Sequence, residues 1–364
     1  MKFKNCLIFD SDLRAFRPGC LAVENGVFVE TDNEEGAIDC GGDLIIPGLI
    51  DIHTHGRNGF DFCGATAEQM KDMKRYYAEK GVTTVIPSLA SAPLEEMLES
   101  VERVRSVGFR GVHLEGRYMN VKRKGAHAEE LLKPLTASEI PEFAKRAEGM
   151  ALHVSAAYEL DEDGSFLKAV IENGGTASLA HTDATYAQAT ELVEKGVSSF
   201  THLFNAMPQI HHRAGGAVVA GLLSDAYAEI ICDGFHLAPE TVKLVNRVKD
   251  PKKVILITDS MEGAGCPDGL FHIAGRDVFV KGGKAYTADG TISGSTLNLF
   301  DGVKNYAAFS GIPVAEAINA ASINPATMLG LKNVGAIKVG YHADFLRVSP
   351  DFDLKEVYVA GEKV

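Results

Sequence analysis

Eight short runs rich in Val, Ile and Thr constrain this chain most, because stretches with helical periodicity lie between them. Several of those stretches, such as YAQATELVEKG, end at a glycine, as helices commonly do. Eight strand–helix units over about 200 to 250 residues match a closed parallel barrel. We therefore predict an α/β fold, a (β/α)8 TIM-type barrel. The runs are LIIPGLIDIHTH (44–55), VTTVIPSLA (82–90), GVHLEG (111–116), ALHVSAAYE (151–159), TASLAHT (176–182), VSSFTHLF (197–204), AEIICDG (228–234) and KVILITD (253–259).

The two ends of the chain differ from its middle. They contain short β-type segments with turn signals such as VENG and VAGEKV. Each end is too small to fold alone, so we predict that residues 1–46 and 333–364 pair into one small β-sandwich domain. The barrel domain would span residues 47–332 and include a hairpin-like stretch, RDVFVKGGKAYTADG, after its last strand.

Composition argues against some classes of partner. The formal net charge is −13 and no run of Lys and Arg stands out, which argues against nucleic acid or an anionic membrane. No apolar run is long enough to span a bilayer, and the start of the sequence does not resemble a secretory leader. We expect a cytoplasmic protein whose six scattered cysteines are free thiols.

Polar residues recur where the predicted strands end. His53 and His55 occupy alternate positions of the first strand, so their side chains point to the same face. An HxH motif alone is weak, but further ionisable residues end other strands, and buried ionisable groups need partners. A metal ion at the carboxyl rim of the barrel is the simplest common partner. The additional residues are Glu115, His181, His202, His236 and Asp259.

The other histidines fall into two groups. His127 and the HHR stretch at 211–213 lie in loops at the same rim, and we consider them candidates for substrate contact. His153 is expected near the opposite rim, and His113 is expected to point into the barrel.

Seven motifs, in this order, resemble the amidohydrolase superfamily and, within it, the branch that deacetylates N-acetylated amino-sugar phosphates. They are PGLIDIHTHG, HLEG, AHTDAT, THLFNAM, CDGFHL, ITDS and ISGS. The resemblance extends over essentially the whole chain and includes GAIKVGYHADFLRVSPDF near its end. THLFNAM and ISGS are far more specific than HxH.

The resemblance implies a role for each matching residue. One divalent metal ion would be bound by Glu115, His181 and His202, and a second by His53 and His55. Asp259 would be the catalytic acid and base. Substrate contacts would come from His127, Asn205, Ala206, Arg213, His236, Ile292, Ser293 and Gly294. Because Arg213 would reach the phosphate of a neighbouring subunit, the resemblance also implies a homodimer. Zn is the favoured metal, with Fe, Mn or Co as alternatives.

The implied activity is hydrolysis of the N-acetyl group of N-acetylglucosamine 6-phosphate, giving glucosamine 6-phosphate and acetate, in amino-sugar catabolism and cell-wall recycling. One alternative is a related substrate, N-acetylgalactosamine 6-phosphate or another N-acyl compound. The other is a catalytically silent barrel that binds sugar phosphate. The fourth strand, ALHVSAAYE, has no lysine, which argues against the relatives that cleave cyclic amides with a carbamylated lysine there.

Two residues depart from the family pattern. Arg117 and Tyr158 stand where the family usually has proline, and both are expected at the active rim. One hypothesis is that Arg117 faces solvent or pairs with an acid such as Glu129. The other is that both residues reshape the acyl or sugar pocket and alter substrate preference.

Overall fold

The computed structural model describes all 364 residues and contains the predicted barrel. Eight parallel strands follow one another in chain order around the sheet. The ring is completed where Asp259 N donates to His53 O at 2.8 Å and Thr54 bridges to Ser260. The strands are Leu49–Thr54, Val82–Ala90, Gly111–Glu115, Ala151–Ala156, Thr176–Leu179, Val197–Phe200, Tyr227–Ile231 and Val254–Ile257.

Helices follow each strand and cover the outside of the barrel. The first helix, Ala67–Glu79, shows why it packs there, because Met70, Met73 and Tyr77 are buried at helical spacing. Thr66 caps the start of this helix together with Gln69. None of the helices is both long and apolar enough to cross a membrane. The helices are Ala67–Glu79, Leu94–Val107, Ile140–Arg146, Ser165–Glu172, Tyr186–Glu194, Gly216–Leu223, Pro239–Val248 and Leu299–Ser310, with Val314–Ile318 and Ile323–Met328 after them.

The chain ends form one mixed sheet beside the barrel. Its core contains Phe3, Phe28, Phe345 and Tyr358, with the Phe3 and Phe345 rings 5.3 Å apart. N- and C-terminal segments meet where Leu44–Pro47 pairs with Phe345–Val348. The remaining strands are Lys2–Asp10, Ala15–Glu24, Val27–Val29, Ile38–Asp39, Leu354–Val359 and Glu362–Lys363.

The run at 44–55 is two strands rather than one. Leu44–Pro47 belongs to the terminal sheet and Leu49–Thr54 to the barrel, with Gly48 between them. A Cβ at Gly48 would lie 2.1 Å from Thr83 Oγ1, so only glycine lets the chain pass this close to the neighbouring strand.

Two smaller sheets lie near the carboxyl rim of the barrel. Gly269–Ile273, Arg276–Lys281 and Lys284–Thr287 form an antiparallel sheet, where the sequence indicated a hairpin. Gly56–Arg57 pairs with Phe60–Asp61 directly after the first barrel strand.

Several side chains inside the barrel are polar, whereas the surface between strands and helices is apolar. Val112 and Leu114 belong to the large apolar cluster under the helices. His113, between them, points inward, and its two ring nitrogens lie 2.8 Å from Ser88 Oγ and 2.7 Å from Ser155 Oγ. This alternation follows from the two-residue period of a strand.

Candidate active site

Glu115 is at the centre of the predicted metal site, at the end of the third barrel strand. Its Oε1 lies 2.9 Å from His202 Nε2 and 3.2 Å from His181 Nε2. Its Oε2 lies 2.8 Å from His55 Nε2 and 3.3 Å from His53 Nε2. The carboxylate therefore presents one oxygen to each of two histidine pairs.

Within each pair the ring nitrogens face each other. His53 Nε2 and His55 Nε2 are 3.3 Å apart, and His181 Nε2 and His202 Nε2 are 3.2 Å apart. Asp259 joins the pair formed by His53 and His55, with its Oδ1 at 3.4 Å from the Nε2 atom of each. Ligand atoms of His53, His55, Glu115 and Asp259 all lie within 4.8 Å of one another.

The charges at this site favour a bound cation. Burial disfavours protonation of His55, but hydrogen bonds and charge from Asp259 and Glu115 outweigh it and raise the His55 pKa to about 9. The pKa of His53 is raised in the same way, against its burial, by Glu115 and Asp259. A group of buried carboxylates and imidazoles that attracts positive charge is consistent with a metal site.

The backbone at the strand ends is strained. His181, His202 and Asp259 have φ values of 44°, 32° and 49°, in the left-handed region that residues other than glycine rarely adopt. Such strain is concentrated at functional sites, where the surrounding structure maintains it. Here it turns three side chains of the predicted site toward one point above the barrel.

A cavity of about 400 Å³ opens above this cluster, a size suited to a small molecule. His53 and Arg213 do not line it. His53 is fully buried, and Arg213 lies in an exposed loop, where its Nη1 is 2.6 Å from His212 Nε2. The other predicted site residues do line it: His55, Glu115, His127, His181, His202, Asn205, Ala206, His236, Asp259, Ile292, Ser293 and Gly294.

Two histidines in the cavity wall are held by neighbouring side chains. His127 Nδ1 lies 2.9 Å from Ser91 Oγ, and burial, followed by the charge of His181, lowers the His127 pKa to about 3. Because this pKa lies well below 7, His127 carries no charge at neutral pH. His236 Nδ1 lies 2.7 Å from Asp233 Oδ2.

Several residues near the site were not selected from the sequence. Lys122 and Arg123 line the cavity, and the basic stretch VKRKG in the loop after the third strand was a signal that could have identified them. Ile273 and Ala274, from the antiparallel sheet, line its outer wall. No sequence signal marked Ser91, whose hydroxyl also accepts from Arg117 N at 2.8 Å.

Arg117 and Tyr158 do not line the cavity. Arg117 pairs with Glu139 at 3.4 Å rather than with Glu129, and its side chain is buried rather than facing solvent. Tyr158 donates to Val154 O at 3.0 Å and packs near Phe166. Both side chains are buried outside the cavity, so the structure gives no support to direct reshaping of the substrate pocket.

The closed barrel, the histidine pairs and the central glutamate together describe a metal-dependent hydrolase of the amidohydrolase type. Residues 44–364 match the Amidohydrolase family, and the chain therefore belongs to that family. The match extends through both the barrel and the C-terminal strands of the terminal sheet.

Similar proteins within the family match nearly the whole chain. It is 32% identical over 356 residues to an N-acetylglucosamine-6-phosphate deacetylase from Vibrio furnissii, covering 94% of this chain and 89% of that protein. It is 30% identical over 330 residues to an N-acetylgalactosamine-6-phosphate deacetylase from Escherichia coli O157:H7, covering 88% of this chain and 87% of that protein.

One similar solved structure contains a ligand. It is a mutant N-acetyl-D-glucosamine-6-phosphate deacetylase from Mycobacterium smegmatis in complex with N-acetyl-D-glucosamine-6-phosphate. This chain is 31% identical to it with a TM-score of 0.91, covering 95% of this chain and 94% of that chain. The resemblance inferred from the motifs is therefore confirmed.

Proposed function

We propose that this protein hydrolyses the N-acetyl group of N-acetylglucosamine 6-phosphate, giving glucosamine 6-phosphate and acetate. The observation that carries the proposal is Glu115, with one oxygen toward His53 and His55 and the other toward His181 and His202. This arrangement, with Asp259 beside it and a small-molecule cavity above it, suits amide hydrolysis.

The residues present fit two divalent ions, for which we favour zinc. Glu115 Oε1, His181 and His202 would hold one ion. Glu115 Oε2, His53, His55 and Asp259 would surround the other. Facing imidazole nitrogens 3.2 to 3.3 Å apart cannot satisfy each other when both rings are neutral acceptors, whereas a cation satisfies both. When bound, such an ion acts as a Lewis acid that polarises an amide carbonyl and acidifies water.

Asp259 is our candidate for the proton transfers. Its main chain is held on both sides, since its N donates to His53 O and its O accepts from Ser295 N at 2.7 Å. The carboxylate lines the cavity and has a pKa below its usual range: burial opposes ionisation, but His53 and His55 outweigh it. An ionised Asp259 takes a proton from the attacking water and returns it to the departing amine nitrogen.

His127 and His236 are proposed to orient the substrate. A neutral His127 ring, held by Ser91, suits hydrogen bonding to the acetyl oxygen as negative charge develops on it. His236, whose Nδ1 is engaged by Asp233, has its Nε2 available for a sugar hydroxyl or phosphate oxygen.

The phosphate would be bound at the outer part of the cavity. Lys122 and Arg123 line the cavity within the same chain, although both also pair with Asp183. Arg213 is exposed, which is compatible with reaching the active site of a second subunit in a homodimer. Its planar guanidinium matches the geometry of phosphate oxygens.

Acetate release from N-acetylglucosamine 6-phosphate, run beside the unphosphorylated sugar on protein of known metal content, tests the proposal. We expect turnover of the phosphorylated sugar and a kcat/KM at least tenfold lower without the phosphate, about 1.4 kcal/mol of lost transition-state binding. Binding of the sugar phosphate without acetate release would contradict the proposal and favour a silent binding protein.

N-acetylgalactosamine 6-phosphate is a second candidate substrate, because one relative of 30% identity is named as its deacetylase. The two sugars differ in the orientation of one hydroxyl. A direct comparison of kcat/KM for the two sugar phosphates decides between them.

A further inference from the structure

A buried carboxylate lies in the barrel interior beneath the histidine cluster. Glu229, on the seventh barrel strand, has no solvent exposure and does not line the substrate cavity. Its Oε1 accepts a hydrogen bond from Ser199 Oγ at 2.9 Å. The same oxygen lies 3.3 Å from His153 Nε2 and 3.4 Å from Ser178 Oγ.

The other oxygen of Glu229 faces His53. Glu229 Oε2 has no hydrogen-bond partner, and neither has His53 Nδ1, although the two atoms lie 4.0 Å apart. Both side chains are fully buried. On the opposite edge of the imidazole, His53 Nε2 faces Glu115 and Asp259. His53 thus stands between a proposed ion on one side and an unpaired carboxylate oxygen on the other.

We propose that Glu229 is a positioning residue for His53. A movement of Glu229 Oε2 toward His53 Nδ1 by about 1.1 to 1.3 Å would take the two atoms from 4.0 Å to the distance of a charge-assisted hydrogen bond. The bond from His53 Nδ1–H to Oε2 would then select the tautomer whose Nε2 lone pair faces the ion. A carboxylate behind a ligating histidine fixes the ring and increases its basicity. The inference rests on the metal site of the proposed function.

The four histidines of the proposed metal site differ in what their Nδ1 atoms contact, so the inference applies to His53 in particular. His181 Nδ1 is already bound to Arg123 O at 2.8 Å. His55 Nδ1 and His202 Nδ1 have no partner in the protein. Of the four, only His53 has a carboxylate oxygen within 4.0 Å of its Nδ1. Glu229 should therefore act on the ion held by His53 and His55 and leave the ion held by His181 and His202 unaffected.

The test is metal binding by full-length Glu229→Gln, a substitution of nearly the same shape without the charge. Metal-free protein is titrated with Zn²⁺ against a competing chelator, and again with Co²⁺ while its visible absorption is followed. We expect one of the two ions to bind about 10- to 100-fold more weakly and the other to bind as in the wild type. Activity at saturating Zn²⁺ should recover, because the ligands themselves are intact.

Ser178→Ala is the matched control. The Ser178 hydroxyl lies 3.4 Å from Glu229 Oε1 and bonds at 2.6 Å to Thr201 Oγ1, so its loss should leave Glu229 in place and both ions should bind as in the wild type. If Glu229→Gln does not fold, Ser199→Ala replaces it. That variant loosens Glu229 without removing its charge and should weaken the same ion to a smaller extent.

Unchanged affinity for both ions in Glu229→Gln would overturn the inference and leave the proposed function in place. Equal weakening of both ions, together with a less stable metal-free protein, would also overturn it, because that result indicates a purely structural role. A wild-type protein that binds no divalent ion would contradict the metal site of the proposed function as well.

Discussion

Asp259 is the residue on which the proposed chemistry depends most directly. It follows the last barrel strand in a left-handed backbone conformation, with φ 49°, and its carboxylate lines the cavity beside His53 and His55. Asparagine preserves the shape of the side chain but cannot accept the proton of the attacking water.

Asp259→Asn is expected to lower kcat by about 10²- to 10⁴-fold, the usual contribution of a positioned acid or base. Metal content should persist, because Glu115 and the four histidines remain. Steady-state kinetics with elemental analysis of the same sample checks both statements. A fall in kcat of less than tenfold with full metal content would assign the proton transfers to another group.

Arg117 illustrates how a backbone conformation limits a choice of residue. Its φ is 54°, whereas a proline ring requires a φ near −65°, so the proline usual at this position in the family does not fit the backbone seen here. Arg117 N also donates to Ser91 Oγ, a bond that proline cannot make.

We therefore expect Arg117→Pro to lower the free energy of unfolding by about 3 kcal/mol or more. Arg117→Gly, which tolerates the positive φ, should leave the ratio of kcat/KM between different N-acyl sugars unchanged, because the Arg117 side chain does not line the cavity. Urea unfolding measures the first effect and substrate competition the second. A changed acyl preference in Arg117→Gly would restore the pocket hypothesis.

At the scale of elements, the helix starts follow local sequence rules. Thr66 accepts from Gln69 N, and the Gln69 side chain accepts in turn from Thr66 N. The helix at Tyr186–Glu194 begins with the same reciprocal pair, Thr185 and Gln188. These contacts depend on four consecutive residues, which is why such a start can be recognised without the fold.

Thr66→Ala is expected to lower the free energy of unfolding by about 1 kcal/mol, because one backbone N–H loses its acceptor. Thr66→Ser keeps a hydroxyl at the same place and is the matched control, with a loss of only a few tenths of a kcal/mol expected. Chemical denaturation of both variants gives the comparison. Equal losses for Ala and Ser would mean that packing of the threonine methyl, not capping, stabilises this end.

At the scale of the whole molecule, Asp43 joins the two ends of the chain. Its Oδ2 accepts from Arg347 Nε and its Oδ1 from Lys355 Nζ, each at 2.6 Å. Burial opposes ionisation of Asp43, but the bonds from Lys355 and Arg347 outweigh it and lower the pKa of the carboxyl group below its ordinary value.

Asp43→Asn is expected to lower the free energy of unfolding at neutral pH by about 2 kcal/mol, between the values typical of exposed and buried ion pairs. Because the pKa is lower in the folded state, this contribution is present above the unfolded-state pKa of about 3.9 and is lost as the pH falls through the folded pKa. The difference between wild type and Asp43→Asn should thus shrink below about pH 4.

Urea unfolding of both proteins as a function of pH measures this dependence. The control is Asp351→Asn, since Asp351 is exposed and lies in the same C-terminal segment. A pH-independent difference between wild type and Asp43→Asn would mean that the ion pairs do not account for the effect.

The proposed homodimer makes a prediction about mixed subunits. If Arg213 serves the active site of its neighbour, Arg213→Ala and Asp259→Asn should each be nearly inactive alone. A hybrid dimer of the two variants contains one site with both Asp259 and a wild-type Arg213 opposite it. Activity that appears only on mixing and subunit exchange is the expected result, and no recovery in demonstrated hybrids would exclude a shared site.

The sequence by itself determined the number of barrel units, the residues at the strand ends and the helices that stop before a glycine. These features depend on neighbours within a few positions, through the two-residue period of strands, the helical period and local capping. The same local rule brought His53 and His55 to one face.

Only the tertiary structure decided how distant segments meet. The break at Gly48 comes from the close approach of Thr83, and Arg117 is buried against Glu139 because the loop after the third strand folds back. The two oxygens of Glu115 are divided between histidine pairs from opposite sides of the ring. Glu229 lay within an apolar run with no local sign of its role, since only closure of the barrel brings it beneath His53.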